Sequence, residues 1–432
     1  MNSIQVKTIE ADYLAPGISE EARLADMAFV RGEGCYLYDA EGKAYLDFAA
    51  GIFTQNIGHG HPQLVERLKQ QVDQLWNVHD SSHPARAQLC LHLSECFPDE
   101  LQRFAFFSTG AEAVEAAIRA VLAAASPKRQ RMAALRYGFH GKTQGARSLV
   151  HWDVGFSAFS GNSVLGYSAN CYRCPLGRTY PSCDMQCAML VAKHIASKDN
   201  ISALFFEPVQ GAAGVIVPPK EYWDIIQREC RQSGVMLVAD EIVTAGGRSG
   251  YFLACEYYGL KPDLVTAAKG LSSGFPFSVL AGKEALMAEG AFAAPGASSS
   301  TYGGNPLSCT AAAATLDILK TEHVIDDVTR KGRLLGDGLK QLARDHAVIG
   351  DARGLGLLWA LEFVSDPIAK TPDSDMAKAF YTRALALGAR VCVGGNIVRI
   401  GPPLTIDDAE IQEALRIFDQ VLGELRQARI AA

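Results

Sequence analysis

Three short stretches hold residue types that could do chemistry together. Lys269 follows the apolar run Leu264-Val265-Thr266-Ala267-Ala268 and precedes Gly270. Small and apolar neighbours desolvate an amine, and desolvation favours the neutral form that adds to a carbonyl as a Schiff base. The other reading of a lone lysine is a solvated charge. Asp240 directly follows Val235-Met236-Leu237-Val238-Ala239. A carboxylate past a buried strand is either a cap or loop group, or the partner of a cationic ring nitrogen in a cofactor. Ser108-Thr109-Gly110-Ala111 precedes a helical run containing Glu112, Val114, Glu115, Ala116, Ile118 and Val121. Backbone N–H groups at a helix start attract an anion, so this turn is either a plain cap or a phosphate site.

These residues must be positioned by strands. Phe104–Phe107, Met132–Tyr137, Ala203–Phe206, Val235–Ala239 and Leu264–Ala268 read as short apolar strands, separated by helices such as Tyr222–Gln232. That alternation predicts a mostly parallel α/β sheet. Ligands bind beyond the carboxyl ends of such strands, and Glu207, Asp240 and Lys269 all lie just past one. The flanks differ. Val30–Phe48 reads as a hairpin split by Glu41-Gly42, and Pro62–Leu75 as an amphipathic helix. Beyond about residue 325 come shorter strands, Leu357–Phe363 and Ile397–Ile400, and a last helix from about Ile406 to Leu425 capped by Thr405 or Asp407. The expected division is a large domain over 60–320 and a smaller α+β domain from 1–59 and 321–432.

Composition bounds the rest. A chain of 432 residues with 20% charged residues and a net charge of -6 gives no electrostatic reason to bind nucleic acid or an anionic membrane. The first residues include Glu10 and Asp12 and lack an apolar stretch of signal length. The long uncharged run Gly290–Leu316 is rich in Gly, Ser and Pro and makes a poor membrane span. A cytoplasmic location is expected. The eleven cysteines argue for free thiols in such a chain. Cys171, Cys174, Cys183 and Cys187 are spaced closely enough to ligate zinc. They include no His and follow no standard spacing, so a packed loop with no metal is the expectation.

Longer motifs carry a resemblance. They are Asn56-Ile57-Gly58-His59-Gly60-His61-Pro62, Ser108-Thr109-Gly110-Ala111-Glu112-Ala113, Phe139-His140-Gly141-Lys142-Thr143, Glu207-Pro208-Val209-Gln210-Gly211, Asp240-Glu241-Ile242-Val243, Ala268-Lys269-Gly270 and Thr301-Tyr302-Gly303-Gly304-Asn305-Pro306. In order and spacing, from about Val30 to Leu425, the chain resembles the class III (omega-type) aminotransferases and is similar to 4-aminobutyrate aminotransferase. The resemblance implies the fold type I of pyridoxal 5'-phosphate (PLP) enzymes, with a mostly parallel seven-stranded sheet. It implies PLP on Lys269 as a Schiff base, with Gly110 and Ala111 on the phosphate and Asp240 on the pyridine nitrogen. Phe139 would stack on the ring, and its other reading is a core aromatic. His140 would be structural support, and Glu207 and Val243 would join the cofactor-binding set. Thr301 would reach the phosphate in a neighbouring subunit, which implies a homodimer with shared sites, or a tetramer as the larger assembly. Arg399 matches the arginine for the substrate's α-carboxylate, and its other reading is a surface arginine. Ile52 matches an apolar pocket position, with plain core packing as its alternative.

The implied activity moves an amino group from an omega-amino acid or amine to a 2-oxo acid. Relatives of this fold instead racemise or epimerise amino acids, or decarboxylate dialkylglycines. Three positions depart from the 4-aminobutyrate enzymes. Ala212 replaces an acidic residue that pairs with the carboxylate-binding arginine. Val243 replaces a frequent Gln. Lys142 replaces an arginine for a distal carboxylate, giving a point charge without the bidentate fork.

Overall fold

The computed structural model describes residues 1–151, 163–288 and 290–431. The chain divides into two compact units, one made of Met1–Pro62 and His323–Ala432, the other of Gln63–Glu322.

In the first unit, helices Ser3–Tyr13 and Glu20–Leu24 precede a three-stranded antiparallel meander, β1 (Phe29–Glu33), β2 (Tyr36–Asp39) and β3 (Ala44–Asp47). The expected break at Glu41-Gly42 is the β2–β3 turn. Asp39 Oδ1 accepts the N–H groups of Glu41 and Lys43 at 3.1 and 2.8 Å, and Gly42 takes φ +87°, which suits a residue without Cβ.

The second unit is built on seven strands: β4 (Arg103–Phe107), β5 (Arg131–Leu135), β6 (Ser163–Gly166), β7 (Ile201–Phe206), β8 (Met236–Asp240), β9 (Leu264–Ala268) and β10 (Ser278–Gly282). Their order is β4-β10-β9-β8-β7-β5-β6. β10 runs antiparallel to both its neighbours, and the other pairs are parallel. Every residue of β7, β9 and β10 is buried, which explains why each is apolar or small apart from a single hydroxyl residue, Ser202, Thr266 or Ser278. Helix Gly110–Ala124 lays Ala113, Val114, Ala117 and Val121 against this sheet. The strand expected over Met132–Tyr137 stops at Leu135. There the Gly138 N–H turns back to the Leu135 carbonyl at 3.0 Å and Tyr137 takes φ +65°.

The C-terminal part of the first unit supplies β11 (Ile349–Leu355), β12 (Leu358–Asp366), β13 (Thr371–Pro372), β14 (Ala389–Arg390), β15 (Cys392–Gly394) and β16 (Ile397–Ile400). β11, β12, β16 and β15 form an antiparallel sheet, with β13 on β12. β14 instead pairs in parallel with β3, so the meander has strands from both ends of the chain. The last helix spans Asp408–Ala431 and opens two residues later than the sequence suggests. Asp407 caps it, accepting the Glu410 N–H at 2.8 Å while Glu410 accepts the Asp407 N–H at 2.9 Å.

Candidate active site

Parallel pairing brings the chemistry to one sheet edge. Asp240 ends β8 and lies in register with Thr266 of β9, three residues before Lys269. Glu207 follows β7, and Phe139-His140 lies on the connection after β5. All four strands present their carboxyl ends together, where an open α/β sheet holds its ligand. Lys269 is half-buried and takes φ +48°, at the first position of a 3₁₀ turn, Lys269–Ser272. A non-glycine residue there costs about 1–3 kcal/mol and persists only where its surroundings require it.

Asp240, His140 and Glu207 are all buried. Asp240 Oδ2 lies 2.8 Å from His140 Nδ1, and Asp240 Oδ1 accepts the Ile242 N–H at 3.1 Å. A carboxylate only accepts, so Nδ1 carries the proton. Burial pulls the imidazole pKa down, but the hydrogen bond and charge of Asp240, with the charge of Glu207, outweigh it and raise the pKa above its ordinary value. His140 therefore orients the Asp240 carboxylate through this hydrogen bond. Glu207, expected among the cofactor contacts, turns both carboxylate oxygens to loops: Oε1 accepts the Phe139 N–H at 2.8 Å and Oε2 the Gly211 N–H at 3.0 Å. Burial pushes it up to about 7, with Asp240 adding to the rise, although His140 and the two amides oppose it.

The helix at Gly110–Ala124 opens with a capping box. Thr109 Oγ1 accepts the Glu112 N–H at 3.4 Å, and Glu112 Oε2 accepts the N–H groups of Ser108 and Thr109 at 3.1 and 2.9 Å. The next two N–H groups, of Gly110 and Ala111, are first-turn donors without an intrahelical acceptor. The cradle is tight. A Cβ on Gly110 would lie 2.7 Å from Ile242 Cδ1, and one on Gly141 would lie 2.8 Å from Ala111 Cβ. Only a bare backbone lets the Phe139-His140-Gly141 loop and the segment after Asp240 close around this helix start. Val243 packs its methyls on Gly211.

Other expected residues lie farther out. Phe139 is 36% exposed, leaving ring area for a flat partner. Lys142 is exposed. Thr301 is exposed, and its carbonyl accepts the Asn77 side-chain amide at 3.0 Å. Ile52 and Arg399 belong to the smaller unit. Ile52 is 38% exposed at φ +63°, and Arg399 is half-buried on β16. Among the described residues no three His, Cys, Asp or Glu side chains are grouped to hold a metal ion. Among the described residues no helix is long and apolar enough to cross a membrane.

The sequence reading passed over Glu112 as a cap, although Thr109-x-x-Glu112 is a legible capping signature. It also passed over Glu115, whose Oε1 accepts the Thr143 hydroxyl at 2.6 Å and the Gly145 and Ala146 N–H groups at 2.8 and 3.1 Å. No local pattern signals that contact.

An amine on a strained turn, a buried carboxylate backed by an imidazole, a pair of helix-start N–H groups and a bare-backbone cradle fit PLP. On this sheet they define a PLP-dependent enzyme of fold type I. The profile of the aminotransferase class-III family matches residues 18–422. The chain is 34% identical over 422 residues to a probable 4-aminobutyrate aminotransferase of Bacillus subtilis, covering 94% of each. It is 31% identical to a leucine/methionine racemase of Thermococcus litoralis, covering 94% of this chain and 93% of that protein. Its fold superposes with a TM-score of 0.88 and 30% identity on a PLP-bound amine transaminase from an uncultivated Pseudomonas species, covering 95% of this chain and 98% of that one. The chain belongs to the class III aminotransferase family. It is a PLP-dependent aminotransferase.

Proposed function

We propose that this enzyme moves the amino group of an omega-amino acid or related amine to a 2-oxo acid, at a site shared between two copies of the chain. The observation that carries the reading is the Asp240–His140 pair at the end of β8, in register with the strand that leads to Lys269. PLP, when bound, supplies an electron-withdrawing ring that stabilises negative charge at the substrate carbon.

The protein residues do the rest. Lys269 Nζ would hold the cofactor and, when free, would carry the proton from the donor's reacting carbon. Asp240 would pair with the ring nitrogen, and His140 Nδ1–H aims its carboxylate. Gly110 and Ala111 bind the phosphate through their N–H groups. Phe139 covers one ring face. Glu207 fixes the Phe139 and Gly211 loops, and Val243 packs beside them. Arg399 takes the α-carboxylate of the 2-oxo acid, and Lys142 attracts a distal carboxylate. Ile52 offers an apolar surface to the substrate. Thr301 serves the phosphate in the partner copy, within a cytoplasmic homodimer.

Lys269→Ala is expected to abolish borohydride trapping of PLP on the protein and to remove turnover; a variant that keeps both would overturn the assignment. Racemase relatives support a second reading, epimerisation of one amino acid. A 15N-labelled donor separates the two. Transfer of the label to a 2-oxo acid marks an aminotransferase, whereas loss of optical activity without transfer marks a racemase.

A further inference from the structure

In the smaller unit, four consecutive residues take left-handed backbone angles: Ala50 (φ +44°), Gly51 (+60°), Ile52 (+63°) and Phe53 (+62°). Only one of them is glycine. The others place a Cβ against a carbonyl oxygen, and Ile52 is β-branched, the least suited type for this region. Such a turn persists only where its surroundings over-determine it.

The surroundings are explicit. Asp47 is fully buried and accepts three donors: the Ala49 N–H at 3.0 Å, Arg390 Nη1 at 2.9 Å and His59 Nε2 at 2.8 Å. The Phe53 and Thr54 N–H groups close on the Ala49 and Ala50 carbonyls at 2.8 and 2.7 Å. On either side of the turn, the Gly401 N–H donates to the Phe48 carbonyl at 2.7 Å, and the Leu404 N–H to the Asn56 carbonyl at 2.8 Å. The turn is thereby fastened to the chain leaving β16.

Its product is the position of one ring. Phe53 is 1% exposed. A Cβ on Gly401 would lie 2.5 Å from Phe53 Cδ1, so the ring lies flush on that glycine. Arg399 precedes Gly401 by two residues, at the end of β16. The Arg399 guanidinium carbon is 5.8 Å from the Phe53 ring centroid. Beside Arg399 in the sheet are Cys392 and Ala360, neither of them a charge partner. Among the described residues no carboxylate forms an ion pair with Arg399. A planar cation is thus seated on an aromatic face with its donors available to an anion.

We propose that Phe53 is a positioning residue for carboxylate recognition: the left-handed turn presents its ring as the seat that sets the plane of the Arg399 guanidinium. This rests on the reading of Arg399 as the α-carboxylate binder. The ring aims a bidentate fork, so its loss penalises acceptors that carry a carboxylate and spares those that do not.

The test compares the holoenzyme's acceptors pyruvate and propanal, with one amine donor. Phe53→Leu keeps an apolar side chain but removes the aromatic face. It is expected to raise KM for pyruvate about tenfold, with kcat within about twofold and propanal unaffected. Phe53→Tyr keeps the face and should behave as wild type. Gly401→Ala displaces the ring without removing it and should reproduce the selective loss, which also decides the matter if Phe53→Leu does not fold. Equal losses for both acceptors, or a Phe53→Tyr variant as impaired as Phe53→Leu, would mean a merely structural role and sink the proposal. Arg399→Gln separates the two readings. If it does not discriminate pyruvate from propanal, the carboxylate assignment itself fails. If it does and the Phe53 and Gly401 variants do not, only the positioning role fails.

Discussion

Glu207 is enclosed by its own loops, and burial lifts its carboxyl from an ordinary 4.5 to about 7. The folded protein therefore holds a proton on Glu207 that the unfolded chain releases near 4.5. Between about 4.5 and about 7 the native state binds the extra proton, so stability falls as pH rises across that window and then levels off. The raised pKa of His140 acts in the same direction: its contribution is present below the ordinary 6.5 and is lost as pH passes its folded value. Glu207→Gln removes the first effect and weakens the second, since the charge of Glu207 helps raise the His140 pKa. The melting temperature of the wild type minus that of Glu207→Gln should decrease from pH 5 to pH 7 and stay level from pH 7 to 8.5. A flat difference across the range would show that Glu207 ionises as freely in the fold as in the unfolded chain. Asp240 and Lys269 could be picked out from sequence because each directly follows an apolar run. Glu207 could be placed past a strand, but its two amide partners could not, since Phe139 is 68 residues away in the chain.

At the scale of an element, the start of helix Gly110–Ala124 decides which N–H groups remain for an anion. Glu112 occupies those of Ser108 and Thr109, which leaves Gly110 and Ala111 at the mouth of the helix. Glu112→Ala should cost about 1 kcal/mol of local stability, as loss of a cap does. Hydrogen exchange at residues 108–113 should quicken, while Glu112→Gln, which still accepts, should leave it near wild type. Unchanged exchange in the alanine variant would mean that the cap contributes nothing. The buried strands were legible because both of their faces are covered and their sequences are almost wholly apolar, broken only by Ser202 in β7 and Thr266 in β9. β10 was not singled out, although Ser278–Gly282 is equally buried. It is short, begins with serine, and owes its burial to neighbours distant in sequence. The left-handed turn at Ala50–Phe53 was also unreadable, because Ala, Ile and Phe do not favour that conformation; contacts with Asp47 and the chain after β16 impose it.

At the scale of the whole molecule, a shared site makes a prediction that no single chain can satisfy. If Thr301 serves the phosphate in the partner copy, Lys269→Ala and Thr301→Glu damage different halves of each site. Mixed subunits then form one intact site, with Lys269 from one chain and Thr301 from the other. Exchange of the two inactive variants should recover roughly a quarter of wild-type activity if subunits pair at random. No recovery, with hybrid formation verified by mass, would place Thr301 in the site of its own chain.

Local chemistry was in the sequence: apolar runs that end at Asp240 and Lys269, a helix start rich in small residues, and motif spacing shared with a family. These are short-range features, and short-range preference is what residue order encodes directly. Tertiary structure decided the rest. It inserted β10 between β4 and β9, joined β14 to β3 across more than three hundred residues, and set His140 against Asp240. It also seated Arg399 on Phe53. Such pairings arise because buried surface must be shared among segments remote in the chain, and buried polar groups must find their partners wherever the fold brings one within reach.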